Sequence, residues 1–445
     1  MANKAKLSLK AKDCSLFDEE ENKLTKSDSI NDIIDLFLKN TSVNYLIGLS
    51  KKERKDDDCL LIEYDYKYNK WRAGRCIGEL AFSSGKKNLK VTIEPRFGDN
   101  HLSDMLSEIY NIKIPETKTD DKKENKEVWI KKILSIIWLN KLATANKFGL
   151  PRTNVKESYK GHFIKGRINI RKSIVPFLHN KQIVSDYSSK QYDEVIIRIL
   201  NQAYNIMSSN FATNIPENAQ DAINKLSSIS SSLSNRVSFS EYKNIQYKSI
   251  YQSYKDVVDF SWKIINNKSS SMSTDFGNKD GFGLFIDMAE IWELYLEKVL
   301  KKHFNDWDIR SQNDFPIYNE PKMFFQTSIR PDIIMRKDNK IAVFDAKWKK
   351  MDFEYNDFDR SDFFQINTYI AFLRTKYPEL EVVCGGLLYP FTEEISVDNS
   401  HAKNWLNNSE TKFIVDGIQM KKNDEEYEYK TQEFIDRLKQ ILKLK

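Results

Sequence analysis

Residues 329–348 read IRPDIIMRKDNKIAVFDAKW, and the architecture of the C-terminal third can be worked out from them. Apolar runs on both sides of the polar segment 337–340 predict two strands joined by a short turn. On the second strand Asp345 and Lys347 are two residues apart, so their side chains point to the same face. The turn brings Asp332, on the first strand, into register with Asp345. We therefore expect two carboxylates and one ammonium group to meet at one end of this hairpin.

Two acidic groups beside an ammonium group are suited to phosphodiester hydrolysis. The carboxylates of Asp332 and Asp345 suit Mg²⁺, with water molecules completing its coordination shell. The ion would stabilise charge on a scissile phosphate and make a bound water a better nucleophile, while Lys347 orients that water or offsets the developing charge. An ordinary hairpin with a surface ion pair is the alternative. The apolar residues 341–344 favour catalysis, because an unpaired charge beside them would be costly.

The pattern PD at 331–332 followed by DAK at 345–347 resembles the signature of the PD-(D/E)XK nuclease fold. Nucleases of this fold commonly offer a further acidic group to the metal site from a preceding helix. The resemblance assigns this role to Glu293, which makes it a third predicted metal ligand. Glu290 and Glu297 on the same predicted helix compete for the role.

Helices are predicted over 284–300, before the hairpin, and over 363–375, after it. On the second helix Gln365 and Tyr369 are four residues apart and share a face. They resemble the Q-x-x-x-Y element of related nucleases, which implies supporting roles at the site. The alternative is that the amide and the ring only pack on the sheet. The apolar run 381–389 then suits a buried strand of a mixed sheet.

Sequence patterns divide the chain into three regions. Alternation at 60–69 predicts a strand, and helical periodicity occurs at 129–145 and 194–207. The charged segment 117–127 and the Ser-rich segment 266–274 are typical of linkers. The predicted fold class is multidomain α+β, with an N-terminal β-rich module (1–116), a mainly helical middle region (128–265) and a C-terminal α/β nuclease domain with a mixed sheet (276–445).

Length and composition restrict the function classes. The chain has 445 residues, 40% of them hydrophobic, which is enough for more than one core. Its net charge of +6 is too small over this length to identify a nucleic-acid binder by its field. No apolar run reaches the roughly 18 residues of a membrane span, no secretory signal is recognisable, and no Cys/His spacing suggests zinc. We therefore expect a cytoplasmic protein without membrane contact.

The whole chain resembles the McrC family, the nuclease subunits of McrBC modification-dependent restriction systems. The order and spacing of short motifs carry this resemblance: IGEL at 77–80, IEPRF at 93–97, Tyr159 with GR at 166–167, DE at 193–194 with Asn201, and WE at 292–293, where that family usually has Phe-Glu. The resemblance implies a bacterial Mg²⁺-dependent DNA endonuclease with Asp332, Asp345 and Lys347 as its catalytic residues.

The resemblance also implies partners. The N-terminal module would dock onto a McrB-like AAA+ GTPase ring, stimulate its GTP hydrolysis and deliver the nuclease to modified double-stranded DNA. Nuclease domains of two complexes would pair to cut both strands. GTP is expected on the partner only, because the nearest match to a P-loop, at 78–87, has six residues between its glycines rather than four.

Two alternatives to a partner-activated nuclease stay open. One is a non-catalytic assembly or GTPase-stimulating factor whose nuclease-like domain binds DNA, and the other is a restriction enzyme that cuts without partner or GTP. Arg96 is open as well, between a reach into the partner's nucleotide site and a structural pairing with Glu94 or Asp99. Arg167 is open between turn chemistry and partner contact.

Overall fold

The chain divides into two compact units, a continuous one, Asn125–Ser270, and a discontinuous one made of Met1–Glu124 and Ser271–Lys445. The first and third predicted regions therefore lie in the same compact unit. The computed structural model describes residues 5–18, 30–31, 33–35, 46–47, 60–84, 87–111, 126–210, 215–229, 236–270, 284–311, 314–317, 328–349, 359–392, 401–402, 411–420 and 427–442.

Strands and helices are numbered in chain order. The strands are β1 (Ala5–Lys12), β2 (Leu46–Ile47), β3 (Ile62–Asp65), β4 (Lys70–Ala73), β5 (Cys76–Ser84), β6 (Lys87–Glu94), β7 (Arg152–Gly161), β8 (Arg167–Ile168), β9 (Ile183–Tyr192), β10 (Leu284–Asp287), β11 (Asp308–Ser311), β12 (Phe315–Pro316), β13 (Ser328–Ile329), β14 (Ile333–Lys337), β15 (Lys340–Ala346), β16 (Glu381–Phe391), β17 (His401–Ala402) and β18 (Lys412–Gln419). The helices are α1 (Asp99–Tyr110), α2 (Lys126–Ala145), α3 (Ile170–Asn180), α4 (Glu194–Met207), α5 (Glu217–Ile229), α6 (Phe239–Lys243), α7 (Tyr254–Ser270), α8 (Met288–His303), α9 (Arg360–Lys376) and α10 (Tyr427–Ile441). None of the helices in the described ranges combines the length and the apolar character needed to cross a membrane.

A five-stranded mixed sheet forms the N-terminal part of the discontinuous unit. Its strand order is β1-β6-β5-β10-β2, and its core includes Leu9, Leu80, Val91 and Phe285. β1 runs parallel to β6, whereas β10 runs antiparallel to β5. Because β10 follows the continuous unit in sequence, segments from both sides of that insertion complete one sheet.

The helix predicted over 284–300 is wrong at its start, because the first four residues are β10. Phe285 is buried in the five-stranded sheet, where the pairing with β5 outweighs the helical pattern of the sequence. α8 begins only after Asp287, whose carboxylate accepts a hydrogen bond from the backbone N–H of Ala289 (2.9 Å) and so caps the helix.

The alternation at 60–69 is a hairpin rather than one strand. The chain turns after Asp65, whose carboxylate accepts a hydrogen bond from the backbone N–H of Lys67 (3.0 Å), and Asn69 has a left-handed φ of 52°. β3 and β4 therefore pair across a tight turn with Tyr66, 87% exposed, at its tip. The period of two continues through the turn because tyrosines occupy exposed positions there.

The mixed sheet predicted for the C-terminal third is confirmed. Its strand order is β11-β14-β15-β16-β18-β17, and β14 and β15 form the predicted hairpin around Asp338. β15 runs parallel to β16, and α9 packs on both strands. The close approach of α9 depends on Gly385, where a Cβ atom would lie 2.3 Å from Cδ1 of Ile370.

Helices form most of the continuous unit, as predicted. Three of them, α2, α4 and α7, pack against one another, and the indole N–H of the buried Trp138 donates to Oγ of Ser261 (2.8 Å). The sequence did not predict the antiparallel sheet β7-β9-β8 that accompanies them. Most residues of β7 and β9 are exposed or half-buried and polar, so these strands lack an apolar pattern.

The two predicted linkers are only partly described. Residues 266–270 of the Ser-rich segment continue α7 as a helix. Residues 271–274 of that segment, and residues 117–125 of the charged one, lie outside the described residues.

Candidate active site

The end of the β14–β15 hairpin brings the two predicted carboxylates face to face. Ile333 pairs with Phe344 in the antiparallel register, so Asp332 lies opposite Asp345. The backbone N–H of Ala346 donates to Oδ2 of Asp332 (2.8 Å), which ties the first carboxylate to the second strand. Asp345 is buried and Asp332 is half-buried.

Lys347 places its ammonium group beside these carboxylates. Its Nζ lies 2.5 Å from Oδ2 of Asp345, as expected for two side chains on one face of a strand. Nζ also donates to Oε1 of Gln365 (2.7 Å) and lies 3.4 Å from Oδ1 of Asp362. The backbone N–H of Lys347 donates to the carbonyl oxygen of Leu388 (2.9 Å). Both the backbone and the ammonium group of this lysine are therefore held in place.

Burial and neighbouring charges shift the pKa values of the three groups. Burial, together with the negative charges of Asp345 and Glu293, raises the pKa of Asp332 well above its ordinary value. Burial raises the pKa of Asp345 too, against the opposing effect of Lys347. Burial alone would lower the pKa of Lys347, but Asp345 and Asp362 outweigh it and raise that pKa. The lysine is therefore charged at neutral pH, and added positive charge would stabilise the ionised carboxylate pair.

Gln365 and Tyr369 connect the ammonium group to the start of the hairpin. The amide nitrogen of Gln365 donates to Oη of Tyr369 (2.8 Å), and this hydroxyl donates to the carbonyl oxygen of Arg330 (3.1 Å). Burial raises the pKa of Tyr369, so its hydroxyl stays protonated and available as a donor. The two side chains both pack on the sheet and hydrogen-bond within the site.

Asp362 is a carboxylate at the site that the sequence interpretation missed. It is buried on the first turn of α9, where it accepts hydrogen bonds from Nζ of Lys349 (2.9 Å) and Oη of Tyr389 (3.2 Å). It precedes Gln365 by three residues and Tyr369 by seven, which places all three on one helix face. That spacing was a usable signal in the sequence.

The three glutamates of α8 lie in different surroundings. The charge of Glu293 contributes to the raised pKa of Asp332, so this residue lies near the carboxylate pair. Glu297 forms an ion pair with Lys301 (2.5 Å). Glu290 is buried, and its charge contributes to the raised pKa of a tyrosine on α1. Glu293 is therefore the α8 carboxylate whose charge acts on the site.

The residues present suit a hard divalent cation. The facing oxygen donors of Asp332 and Asp345 repel each other, and a cation between them would relieve that repulsion. Within the described ranges, no three His, Cys, Asp or Glu side chains are arranged to hold a metal ion by themselves. Two carboxylates, with water filling the other positions, are a donor set that Mg²⁺ accepts.

Arg96 is a structural residue of the discontinuous unit. Its side chain is 9% exposed, and its Nε lies 3.8 Å from Oδ2 of Asp13 rather than at the predicted Glu94 or Asp99. The guanidinium group is therefore packed within this unit, and a reach into a partner's nucleotide site stays a prediction. Arg167 lies on the exposed strand β8.

A comparison with protein families identifies a match over most of the chain. The model described as McrBC 5-methylcytosine restriction system component matches residues 71–390. The matched region contains α8, the whole β14–β15 hairpin, α9 and nearly all of β16. A comparison with curated proteins found no match.

The solved structures that are similar to this chain include two of McrBC assemblies. The first is a chain of the refined half-complex from the tetradecameric assembly of Thermococcus gammatolerans McrB AAA+ hexamers with bound McrC, with 14% identity, a TM-score of 0.53 and coverage of 98% of this chain and 100% of that chain. The second is a chain of the cryo-EM structure of the Thermococcus gammatolerans McrBC complex, with 14% identity, a TM-score of 0.36 and coverage of 67% and 88%. The first likeness indicates a shared fold.

Proposed function

Because the chain belongs to the McrBC 5-methylcytosine restriction system component family, we propose that it is the McrC-type nuclease subunit of such a system, a Mg²⁺-dependent DNA endonuclease. The observation that carries the proposal is the pair of facing carboxylates, Asp332 and Asp345, beside the half-buried ammonium group of Lys347. Charged groups packed in this way cost folding free energy, and strongly shifted pKa values cluster at functional sites.

Each residue has a chemical role in this proposal. Asp332 and Asp345 would hold Mg²⁺, with Glu293 from the neighbouring helix as the third proposed ligand, whose negative charge acts on Asp332. When bound, the ion supplies Lewis-acid stabilisation of the scissile phosphate and lowers the pKa of a water molecule. Lys347 would orient the attacking water or offset charge that develops on the phosphate. Gln365 and Asp345 hold its ammonium group in position before DNA binds.

We also propose the partner and substrate that the resemblance implies. McrB AAA+ hexamers bind McrC in the Thermococcus gammatolerans assembly. This chain would bind a ring of that type in the bacterial cytoplasm, stimulate its GTP hydrolysis and cut modified double-stranded DNA. GTP would bind to the partner only. Nuclease domains of two complexes would pair to cut both strands.

An exposed apolar surface on the continuous unit supports the existence of a protein partner. α3 and the loop between β7 and β8 carry seven large apolar side chains that are more than half exposed: Phe163, Ile164, Ile170, Ile174, Val175, Phe177 and Leu178. Contiguous exposed apolar patches mark protein contacts. Leu178→Asp should therefore weaken co-elution with the GTPase ring. The docking role of residues 1–116 stays a separate prediction.

Cleavage assays with the reconstituted complex test the nuclease assignment. Asp345→Asn and Lys347→Ala should each abolish cutting of methylated DNA while binding to the partner and stimulation of its GTP hydrolysis are retained. Lys301→Ala is the control, because it breaks an exposed ion pair on α8 and should leave cutting unchanged. Retained cutting by both site variants would overturn the assignment.

The same assays separate the two alternative functions. A non-catalytic assembly factor predicts that the wild-type complex does not cut at any Mg²⁺ concentration. A self-sufficient restriction enzyme predicts cutting by this chain without partner and without GTP. Omitting Mg²⁺, the partner and GTP one at a time from the wild-type reaction distinguishes all three.

A further inference from the structure

The chain leaves the six-stranded sheet at Lys347, the residue after β15, and the next residues contact the ends of two strands of the five-stranded sheet. β15 ends at Ala346, and the side chain that follows the lysine, Trp348, is buried. The indole N–H of Trp348 donates to Oδ2 of Asp13, the residue after β1 (2.7 Å). A residue near the N-terminus therefore fixes the neighbour of the site lysine.

Arg96, two residues after β6, contacts the same segment. Its guanidinium carbon lies 4.8 Å from the ring centroids of both Phe97 and Trp348. Its Nη2 donates to the carbonyl oxygen of Lys349 (3.1 Å), and its backbone N–H donates to Oδ1 of Asp13 (2.6 Å). One carboxylate thus joins the ends of β1 and β6 to the segment that follows Lys347.

Burying this ion pair is costly, which indicates that its geometry matters. The side chains of Asp13 and Arg96 are 0% and 9% exposed, and burial is the main reason why the pKa of Asp13 is raised. A well-packed apolar pair often stabilises a fold as well as a buried ion pair does. An apolar pair would not provide the directional hydrogen bonds that fix the indole of Trp348 and the backbone of Lys349.

The contacts continue from this segment into the site. Nζ of Lys349 lies 2.9 Å from Oδ2 of Asp362, and Oδ1 of Asp362 lies 3.4 Å from Nζ of Lys347. The backbone of Lys347 is also covalently continuous with Trp348. The five-stranded sheet thus constrains the position of the site lysine through both its backbone and its side-chain neighbours.

We infer that Asp13 and Arg96 are positioning residues for the nuclease site, because their hydrogen bonds to Trp348 and Lys349 set the orientation of Lys347. The inference rests on the nuclease function proposed above. It means that the hairpin alone is an incomplete site, which the N-terminal module completes.

Arg96→Lys is the first test, in the full chain with its partner. The variant keeps the charge but loses the Nη2 donor and the planar group that lies against the rings of Phe97 and Trp348. A misplacement of about 1 Å at a catalytic group costs up to about 100-fold in rate. The single-turnover cleavage rate should therefore fall about 10- to 100-fold, with the KM for DNA unchanged.

Arg437→Lys is the matched control. Arg437 forms an equally buried pair with Asp416 in the same compact unit (2.8 Å), and its other hydrogen bond goes to the carbonyl oxygen of Gly417. A merely structural role of Arg96 predicts parallel losses of thermal stability and cleavage in both variants. Positioning predicts the cleavage loss in the Arg96 variant alone. Should Arg96→Lys fail to fold, Trp348→Phe takes its place as the test variant, because it removes the indole N–H donor while keeping an aromatic ring.

A second readout does not require nuclease activity. Competitive acetylation of the metal-free full chain, followed by mass spectrometry, measures the reactivity of Lys347, whose side chain is 16% exposed. Lys347 should react several-fold faster in Arg96→Lys and Trp348→Phe than in the wild type or Arg437→Lys. Unchanged reactivity, with cleavage equal to that of the control, would overturn the inference. A wild-type complex that does not cut would count against the proposed function, whereas the acetylation result would still decide whether Arg96 positions Lys347.

Discussion

Replacing Lys347 by Met removes the positive charge at the end of β15 while keeping an unbranched side chain of similar length. Asp345 stays buried but loses the ammonium group at 2.5 Å, and Asp362 loses the one at 3.4 Å. A buried carboxylate without a counter-charge takes up a proton rather than remaining ionised. We therefore expect this variant to fold with Asp345 protonated.

The free energy of that protonation sets the magnitude. Protonating a carboxyl group with an ordinary pKa of about 3.9 costs about 4 kcal/mol at pH 7 and about 1.5 kcal/mol at pH 5, at 1.36 kcal/mol per pH unit. The free energy of unfolding should fall below that of the wild type by up to these amounts, in line with the roughly 3–5 kcal/mol lost when a buried ion pair is broken. The loss is larger at pH 7 than at pH 5. A protein loses stability as the pH rises when the pKa of one of its carboxyl groups is higher in the folded state than in the unfolded state.

Urea unfolding at the two pH values measures this difference, followed by intrinsic tryptophan fluorescence, to which the buried Trp292 and Trp348 contribute. Lys301→Met is the control, because its ion pair with Glu297 is also 2.5 Å long but its side chain is 49% exposed. That variant should lose at most about 1 kcal/mol at either pH. Equal destabilisation of Lys347→Met at pH 5 and pH 7 would refute the reasoning, and full cleavage activity would refute its link to catalysis.

Three further predictions concern the surroundings of the site. Asp359→Ala removes the N-cap of α9, which accepts from the N–H of Ser361 (2.8 Å), and should lower the free energy of unfolding by about 1 kcal/mol. Hydrogen bonds from Ser361 lower the pKa of Asp359 to about 2. Thermal unfolding should therefore show the stability difference between wild type and variant above pH 4, and the difference should vanish as the pH falls towards 2. A difference that stays constant with pH would contradict the capping role. Gly385→Ala should cost about 1–3 kcal/mol in urea unfolding, partly restored by Ile370→Val, because the new Cβ meets Cδ1 of Ile370 at 2.3 Å; no rescue would argue against this clash. Because the pKa of Asp332 is raised, this carboxyl group must lose a proton before it binds a metal ion. Calorimetry should therefore find that the affinity for Mn²⁺ increases with pH in the wild type, and far less in Asp332→Asn. An equal pH dependence in the two proteins would exclude Asp332 as the titrating ligand.

The hairpin was predictable because its signals are local. Alternation along two short strands and a polar turn are enough to predict that Asp345 and Lys347 share a face, and their 2.5 Å contact agrees with this. The shared face of Gln365 and Tyr369 follows in the same way from helical spacing, and extending that face by one turn would have found Asp362. The catalytic roles of these residues stay proposals.

The remaining features depend on contacts that no local pattern contains. Asp13 and Trp348 are 335 positions apart, and each lies in a short segment whose composition is ordinary. The four residues of β10 are too few to distinguish the period of a helix from that of a strand, so the sequence pattern predicts a helix there. Only the pairing of β10 with β5 shows that the segment is a strand. The strands β7 and β9 were missed because polar, exposed strands carry no alternation of apolar residues.

The late position of β10 affects how this protein is made. β5 leaves the ribosome about 200 residues before β10, so at roughly 5–20 residues per second it waits about 10–40 s for its neighbour. During that interval its backbone donors and acceptors on that edge have no strand to pair with, and open edges of this kind promote association between nascent chains. Rapid folding of the inserted unit, or a chaperone that covers the edge until translation reaches Leu284, would protect the growing polypeptide.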